Sequence, residues 1–341
     1  MNAPPADARA ERQRRWEDWL ASSHEVALQV ELPIVDPHHH LWDRGGHTYL
    51  PAQFAADAAG HRLVASVYVE CLSHYFADGP RHLQPVGETL YAADLARAHA
   101  REAGSAIAAG IVAHADLALG ESVGEVLDAH AQAADGRLRG VRYTTACDDD
   151  STIHSAYTTH AGMLCELPVH DGAQQLARRG LVLDLWMYFH QLGEVLTLAR
   201  ACPGLAIVID HAGGPIGMGR YANQRAEVFA AWRLALQPLR DVDNVSLKFG
   251  GLAMPLAGFD WRKRPVPPHS EDLALAWQPY FDVCLETFGA QRCMFESNFP
   301  VDRSGCTYTS LWNAFKRLAA PLSSDERLAL LGGTAQRVYR L

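Results

Sequence analysis

Residues 34–43 read IVDPHHHLWD, three consecutive histidines after a short apolar run and before an aromatic. Side chains alternate along an extended chain, so His38 and His40 share one face and His39 takes the other. An H-x-H pair at a strand end can offer two imidazoles to one metal ion, or one ligand and one hydrogen-bond donor. Satisfied histidines in a polar loop are the structural alternative. His211, in VIDHAGG, ends another apolar run, and the glycines behind it let the chain turn sharply. With both runs ending at one mouth, His38, His40 and His211 form a three-imidazole metal site.

A carboxylate would complete a hydrolytic centre by orienting and deprotonating water. The stretch MFESNFPVD offers Glu296 and Asp302 with Asn298 between them. Asn298 can hydrogen-bond or ligate weakly, but it cannot take a proton at neutral pH. With Asn298 facing the pocket, the base is Glu296, Asp302 or a histidine. Tyr188 and His190 in WMYFHQL, Arg142 in GVRY, Lys248 in VSLKFGG, and Trp42 are the substrate-binding candidates. Arginine suits bidentate recognition of a carboxylate or sulfonate, and a buried lysine can hold a second negative group or an oxyanion. Their structural alternative is an ion pair into the surrounding wall, to Asp184 or Glu70. Glu70 itself reads as a partner orienting a histidine.

Such residues need a scaffold that brings distant segments together. Eight apolar, strand-like runs recur: PIVDP near 33, LVASVYVE from 63, SAIAAGIV from 105, LRGVRYT from 138, LVLDLWMY from 181, LAIVID from 205, NVSLKFG from 244 and RCMFES from 292. Helix-like segments separate them, several ending in glycine. Near-continuous apolar strands alternating with helices imply a parallel sheet buried on both faces, and eight units imply an α/β protein of the (β/α)8 TIM-barrel class. An open doubly wound sheet is the alternative, but neither a G-x-G-x-x-G after the first strand nor a G-x-x-x-x-G-K-[ST] is present. Residues 1–30 read as an N-terminal extension whose amphipathic helix carries Trp16 and Leu20, and 31–341 as one barrel domain. Two long connections, TACDDDSTIHSAYTTHAGMLCELPVHD and GLAMPLAGFDWRKRPVPPHSE, follow the fourth and seventh strands, where barrel enzymes build pockets. Tyr143, His154, His160, Trp261 and Arg262 are their candidate lining residues, with Trp42 from the first loop.

The chain has 341 residues and a formal charge of -9, with Lys and Arg scattered along it, so neither a nucleic-acid nor a membrane footprint is visible. The expected partner is a small, anionic molecule; a homo-oligomer is compatible with the composition. Seven cysteines without a C-x-x-C pair argue against a disulfide framework and a thiolate zinc site. With no signal-peptide core, these features lead to a cytoplasmic expectation.

Taken together, DPHHHLWD, GVRY, FHQL, IDHAGGP, KFGGLAM, MFESNFPVD and the closing GGTAQRVYRL resemble the amidohydrolase superfamily, in the branch of sugar lactonases and 2-pyrone-4,6-dicarboxylate lactonase. The resemblance runs from about Trp16 to Leu341. It implies a hydrolytic site with His38, His40, His211 and an eighth-strand aspartate. This chain has Asn298 where relatives commonly read Asp, and Arg142 where binuclear members carry a bridging lysine or glutamate. One divalent ion, zinc or manganese, is therefore expected rather than two, with a metal-free route as the alternative. The expected reaction is hydrolysis of a lactone bearing an acidic substituent held by Arg142. The alternatives are metal-dependent, non-oxidative decarboxylation of an aromatic or muconate-type acid, and a non-catalytic barrel that binds a small acid.

Overall fold

The structure is a computed structural model that describes residues 6–44, 47–103 and 106–341. Eight parallel strands follow one another in chain order around a barrel: β1 (Pro33–His39), β2 (Arg62–Val69), β3 (Gly110–His114), β4 (Leu138–Thr144), β5 (Val182–Trp186), β6 (Ile207–Ile209), β7 (Val245–Phe249) and β8 (Cys293–Phe295). The ring closes just past β8, where Asn298 N–H donates to the His38 carbonyl at 2.9 Å and His40 N–H to that of Phe299 at 2.7 Å. This seam puts His38, His40 and Asn298 side by side although 258 residues separate His40 from Asn298.

The expected helices pack outside. α1 (Ala6–Ala21) precedes β1, and α2 (Pro51–Asp57), α3 (Val86–Ala103), α4 (Val123–Ala133), α5 (Leu167–Arg178), α6 (Leu192–Ala201), α7 (Arg225–Leu236), α8 (Ser270–Phe288) and α9 (Tyr308–Ala319) follow their strands. The short α10 (Ser324–Leu328) and α11 (Thr334–Tyr339) end the chain.

Strand alternation sorts the core into two zones. In β7, Phe249 points out to Phe281 of α8 and Phe315 of α9, at ring distances of 5.4 and 6.2 Å. Its neighbour Lys248 therefore points into the barrel, as do Arg142 of β4 and Asp184 of β5. Lower in the barrel the inward residues are apolar: Val35, Val67, Val112, Val182, Val208 and Met294 cluster with Tyr339 of α11. Each such buried side chain stabilises the fold by roughly 1.5–3 kcal/mol. Polar side chains thus concentrate at the C-terminal end, above a dry floor.

Some boundaries differ from expectation. The run SAIAAGIV is a strand only over Gly110–His114, because Ala108 turns with φ at 52° and gives its N–H to Ser66 Oγ; Ser105 lies outside the described residues. The insertion after β4 ends at Glu166 rather than Asp171, since Pro168 starts α5 within its first turn. Residues 1–5 of the expected extension also lie outside the described residues. All seven cysteines are free thiols, and among the described residues no helix is long and apolar enough to cross a membrane.

Candidate active site

Three strand ends converge on Glu296. Its Oε1 accepts from His211 Nδ1 at 2.7 Å and from the His211 backbone N–H at 2.9 Å, while Oε2 lies 2.9 Å from His38 Nδ1. Glu296 is fully buried, and so is His38. The close approach explains the two glycines after β7: a Cβ on Gly250 would sit 2.4 Å from Glu296 Cγ, and one on Gly251 2.5 Å from His211 Cβ. His211 and Asn298 both adopt positive φ, at 53°, a conformation uncommon outside glycine and concentrated at functional sites.

Burial opposes charge on Glu296, yet the His211 and His38 imidazoles hold its pKa at about 2. For His211 burial works against the proton, but Glu296 prevails and raises it above 6.5. Burial and the neighbouring Lys248 ammonium keep His38 neutral, well below 6.5. Carboxylate oxygens only accept, so in the neutral rings Nδ1 directs its hydrogen to Glu296, which for His38 lies nearer than the Lys248 ammonium, and Nε2 is left bare. His38 Nε2 is buried without a partner.

Beneath this pair, Lys248 Nζ lies 2.5 Å from Asp184 Oδ2, 3.0 Å from Asp210 Oδ1 and 3.2 Å from His38 Nδ1. Burial disfavours its charge, but Asp184 and Asp210 hold its pKa above the usual lysine value. Lys248 is fully buried and lines no cleft. The expectation that it binds substrate is corrected to the ion pair into the barrel wall.

Above lies a cleft of about 260 Å³, lined among others by His40, Trp42, Arg142, Trp186, His211 and Asn298. Arg142 is not a free cation. Its Nε donates to Glu70 Oε1 at 2.7 Å and its Nη2 to the Glu70 carbonyl at 2.6 Å, so one carboxylate already balances its charge. Tyr157, from the long loop after β4, donates to the same carboxylate at 2.6 Å and carries His154 and Ser155 over the opening. The expected acid-binding role of Arg142 gives way to a guanidinium edge that can still hydrogen-bond a neutral oxygen.

The expected ligand set also changes. The group whose donor atoms lie within 4.8 Å of one another is His38, His211 and Glu296. His40 stands outside it. Its Nδ1 gives its hydrogen to the Val69 carbonyl at 2.8 Å, which turns Nε2 toward Asn298 Oδ1 at 3.2 Å. Burial and Arg142 lower its pKa to about 3, so this nitrogen is a bare acceptor beside a second acceptor. The two lone pairs await a donor hydrogen or a cation.

Asp302, expected as a base, stands behind the cleft. Its two oxygens accept from Asn298 Nδ2 at 2.6 Å and from Ala253 N–H at 2.7 Å, and burial raises its pKa to about 7. It positions Asn298. Tyr188 is buried beside Trp186, and His190 Nε2 donates to the Cys147 carbonyl at 2.9 Å; neither lines the cleft. Of the loop candidates, Trp42 and His154 line it, while Tyr143, His160, Trp261 and Arg262 do not. Two participants were missed as such: Asp210, the residue before His211, and Trp186, edge-on to His211 at 4.7 Å. Continuing the strand alternation two residues past Val208 would have turned Asp210 inward.

Glu88 shapes the rim. Its Oε1 accepts from Tyr68 Oη at 2.7 Å and from Cys71 N–H at 2.7 Å, fixing the turn that brings Cys71 and Leu72 to the cleft. Burial, then the nearby Glu70 charge, raises its pKa to about 7, while Oε2 is buried without a partner. A pKa raised on folding stabilises below the unfolded value of 4.5 and loses that contribution as pH rises through 7. Glu88→Gln keeps Oε1 and removes the titration. We expect near-equal stabilities at about pH 4.5, and the variant ahead by about 3 kcal/mol at about pH 8 in urea unfolding. A pH-independent difference would contradict this reading.

An eight-stranded parallel barrel with a histidine–carboxylate centre at its strand C-termini defines the class of (β/α)8-barrel enzymes. The chain belongs to the amidohydrolase family, whose model matches residues 35–341. It is 30% identical over 333 residues to the uncharacterized protein y4mH of Sinorhizobium fredii, covering 91% of this chain and 99% of that one. It is 28% identical over 320 residues to L-fucono-1,5-lactonase of Burkholderia multivorans, covering 90% and 96%. A crystal structure of an amidohydrolase from Burkholderia multivorans with bound zinc superposes with a TM-score of 0.69 at 26% identity, over 90% of this chain and 99% of that one.

Proposed function

We propose that this enzyme hydrolyses a small, polyhydroxylated lactone to its open hydroxy acid. The observation that carries the reading is the buried Glu296 carboxylate, which fixes the Nδ1 hydrogens of His38 and His211. His211 thereby meets the cleft at a bare Nε2 while Glu296 stabilises any proton it gains. The neutral, polyhydroxylated substrate follows from the cleft. Arg142 is balanced by Glu70, and Arg44 at the rim lies over the Trp42 ring and donates to the Cys71 carbonyl. Trp42 and Trp186 supply flat apolar walls, and Thr144, Ser155 and Asn298 supply hydrogen-bonding groups. The volume of about 260 Å³ suits one monocyclic ring. The name of the Burkholderia lactonase relative supports the same substrate class.

With the two Nδ1 hydrogens removed, His38, His211 and Glu296 would form a two-histidine, one-carboxylate donor set able to hold a divalent ion. Such an ion, when bound, supplies Lewis-acid polarisation of the carbonyl and a more acidic water. Zinc is our preferred identity, on that donor set and the zinc-bound neighbour. In the ion-free protein the chain's own residues suffice for proton handling. His211 Nε2 takes a proton from the attacking water, the ring C–O bond breaks, and the proton passes to the departing ring oxygen. The Arg142 edge and the Asn298 amide hold substrate oxygens, and the two tryptophans keep bulk water from the ring. Activity that survives chelation assigns His211 to the proton. Activity lost with about one equivalent of zinc, and restored by it, assigns His211 as a ligand.

The reading is tested with a panel of sugar 1,5-lactones, lactones bearing a carboxylate, and aromatic or muconate-type acids. We expect saturable ring opening of the neutral sugar lactones and weaker activity on the acidic ones. Carbon dioxide release from the acids without lactone opening would establish the decarboxylase alternative, and binding without turnover the non-catalytic one.

A further inference from the structure

A second cleft lies apart from the reaction pocket. It lies between α1 and the barrel rim, has a volume of about 720 Å³, and is lined by Arg12, Trp16, Glu17, Tyr49, Arg262 and Arg303 among others. Its walls are fastened. Glu17 accepts from both terminal nitrogens of Arg303 at 2.9 and 2.8 Å, Arg303 Nε lies 3.1 Å from Asp57, and the guanidinium sits 4.8 Å from the Trp16 ring. Trp19 Nε1 ties α1 to the Arg264 carbonyl at 3.0 Å. This network holds Arg303, Glu17 and Asp57 together, and with the two further arginines of the cleft the balance is one positive charge in excess. Arg12 and Arg262 are exposed, line the same cleft, and have no hydrogen-bond or ion-pair partner among the described residues.

We propose that this cleft is a second binding site, for a small organic acid. Two uncommitted guanidinium forks suit the carboxylate, and the Trp16 ring, with Gln53 and Thr48 nearby, suits an organic body carrying hydroxyls. The site is separate from the reaction pocket but shares a wall with it. Trp42 lines the pocket and donates through Nε1 to His47 at 2.9 Å, and His47 lines the cleft; Val301 and Pro300 divide in the same way. The inference does not depend on the lactonase reading. The ligand has two sources with one chemistry: the hydroxy acid that lactone opening releases, or an unrelated organic acid.

The test titrates the full-length protein with gluconate, citrate and inorganic phosphate separately, by calorimetry and tryptophan fluorescence. We expect at least one organic acid to bind wild type and His211→Ala with the same Kd, and the Kd to rise at least about tenfold in the double variant Arg12→Ala/Arg262→Ala. Lactone kcat/KM in that double variant should stay within about twofold of wild type. Gluconate binding in preference to citrate assigns the product type, and the reverse an unrelated acid. The proposal is overturned by no organic acid binding at about 10 mM, by binding that ignores the two arginines, by binding lost in His211→Ala, or by phosphate binding as tightly as either acid.

Discussion

Glu296→Gln lowers lactone turnover by about 1000-fold or more while the protein stays folded. The carboxylate accepts from His211 Nδ1 with one oxygen and faces His38 Nδ1 with the other. A glutamine has one acceptor oxygen and an NH2 group that only donates. Oε1 accepts from two His211 donors, so the amide oxygen stays with His211 and the NH2 group faces His38 Nδ1, whose ring must move its hydrogen to Nε2. That hydrogen is left buried without an acceptor, and the His38 ring that packs against His211 at 4.6 Å loses its anchor. The amide also removes the charge that raises the pKa of His211, so the base becomes weaker. Steady-state kinetics across pH checks this: kcat should fall while KM changes little, and the limb of the profile belonging to His211 should move to lower pH. A variant within about tenfold of wild type would remove Glu296 from the mechanism.

Lys248→Met destabilises the fold by about 3–5 kcal/mol. Methionine matches the length of the lysine stem, so the packing loss is small. The cost arises because Asp184 and Asp210, both fully buried, lose the ammonium between them. Tyr339 Oη still donates to Asp184 at 2.9 Å, but a neutral hydroxyl cannot offset two buried carboxylates. Acid should relieve the loss by protonating Asp184, whose pKa burial raises to about 6, so the deficit measured by urea unfolding is smaller at about pH 5 than at about pH 8. Adding Asp184→Asn should recover part of it. Equal stability of wild type and Lys248→Met at about pH 8 would mean the ion pair contributes nothing net.

The barrel was legible because its cause is local: a parallel strand buried on both faces must be apolar, and eight such runs stand out from the helices between them. His38, His211 and Glu296 were legible as strand-end residues for the same reason. What the chain hides is pairing between distant segments. Arg142 meets Glu70 across 72 residues of sequence, and which arginine is already balanced cannot be read from spacing. His40, predicted as a ligand, stands outside the His38–His211–Glu296 group because its Nδ1 is turned to one backbone carbonyl, that of Val69, on the neighbouring strand. The cleft under α1 depends on Trp19 reaching Arg264 across 245 residues. The strand-end positions of Arg142 and Lys248 suggested an anionic substrate, but burial paired both with carboxylates.

The central claim is ring opening at the Glu296–histidine centre, and proton release in a weakly buffered pH-stat tests it most directly. Opening a neutral sugar 1,5-lactone creates one carboxylic acid, which ionises at neutral pH. The account expects one proton for each ring opened, at a rate that saturates with lactone and falls to near the spontaneous level with Glu296→Gln. A wild-type rate indistinguishable from spontaneous hydrolysis across the neutral sugar lactones, or a full rate in Glu296→Gln, would contradict it.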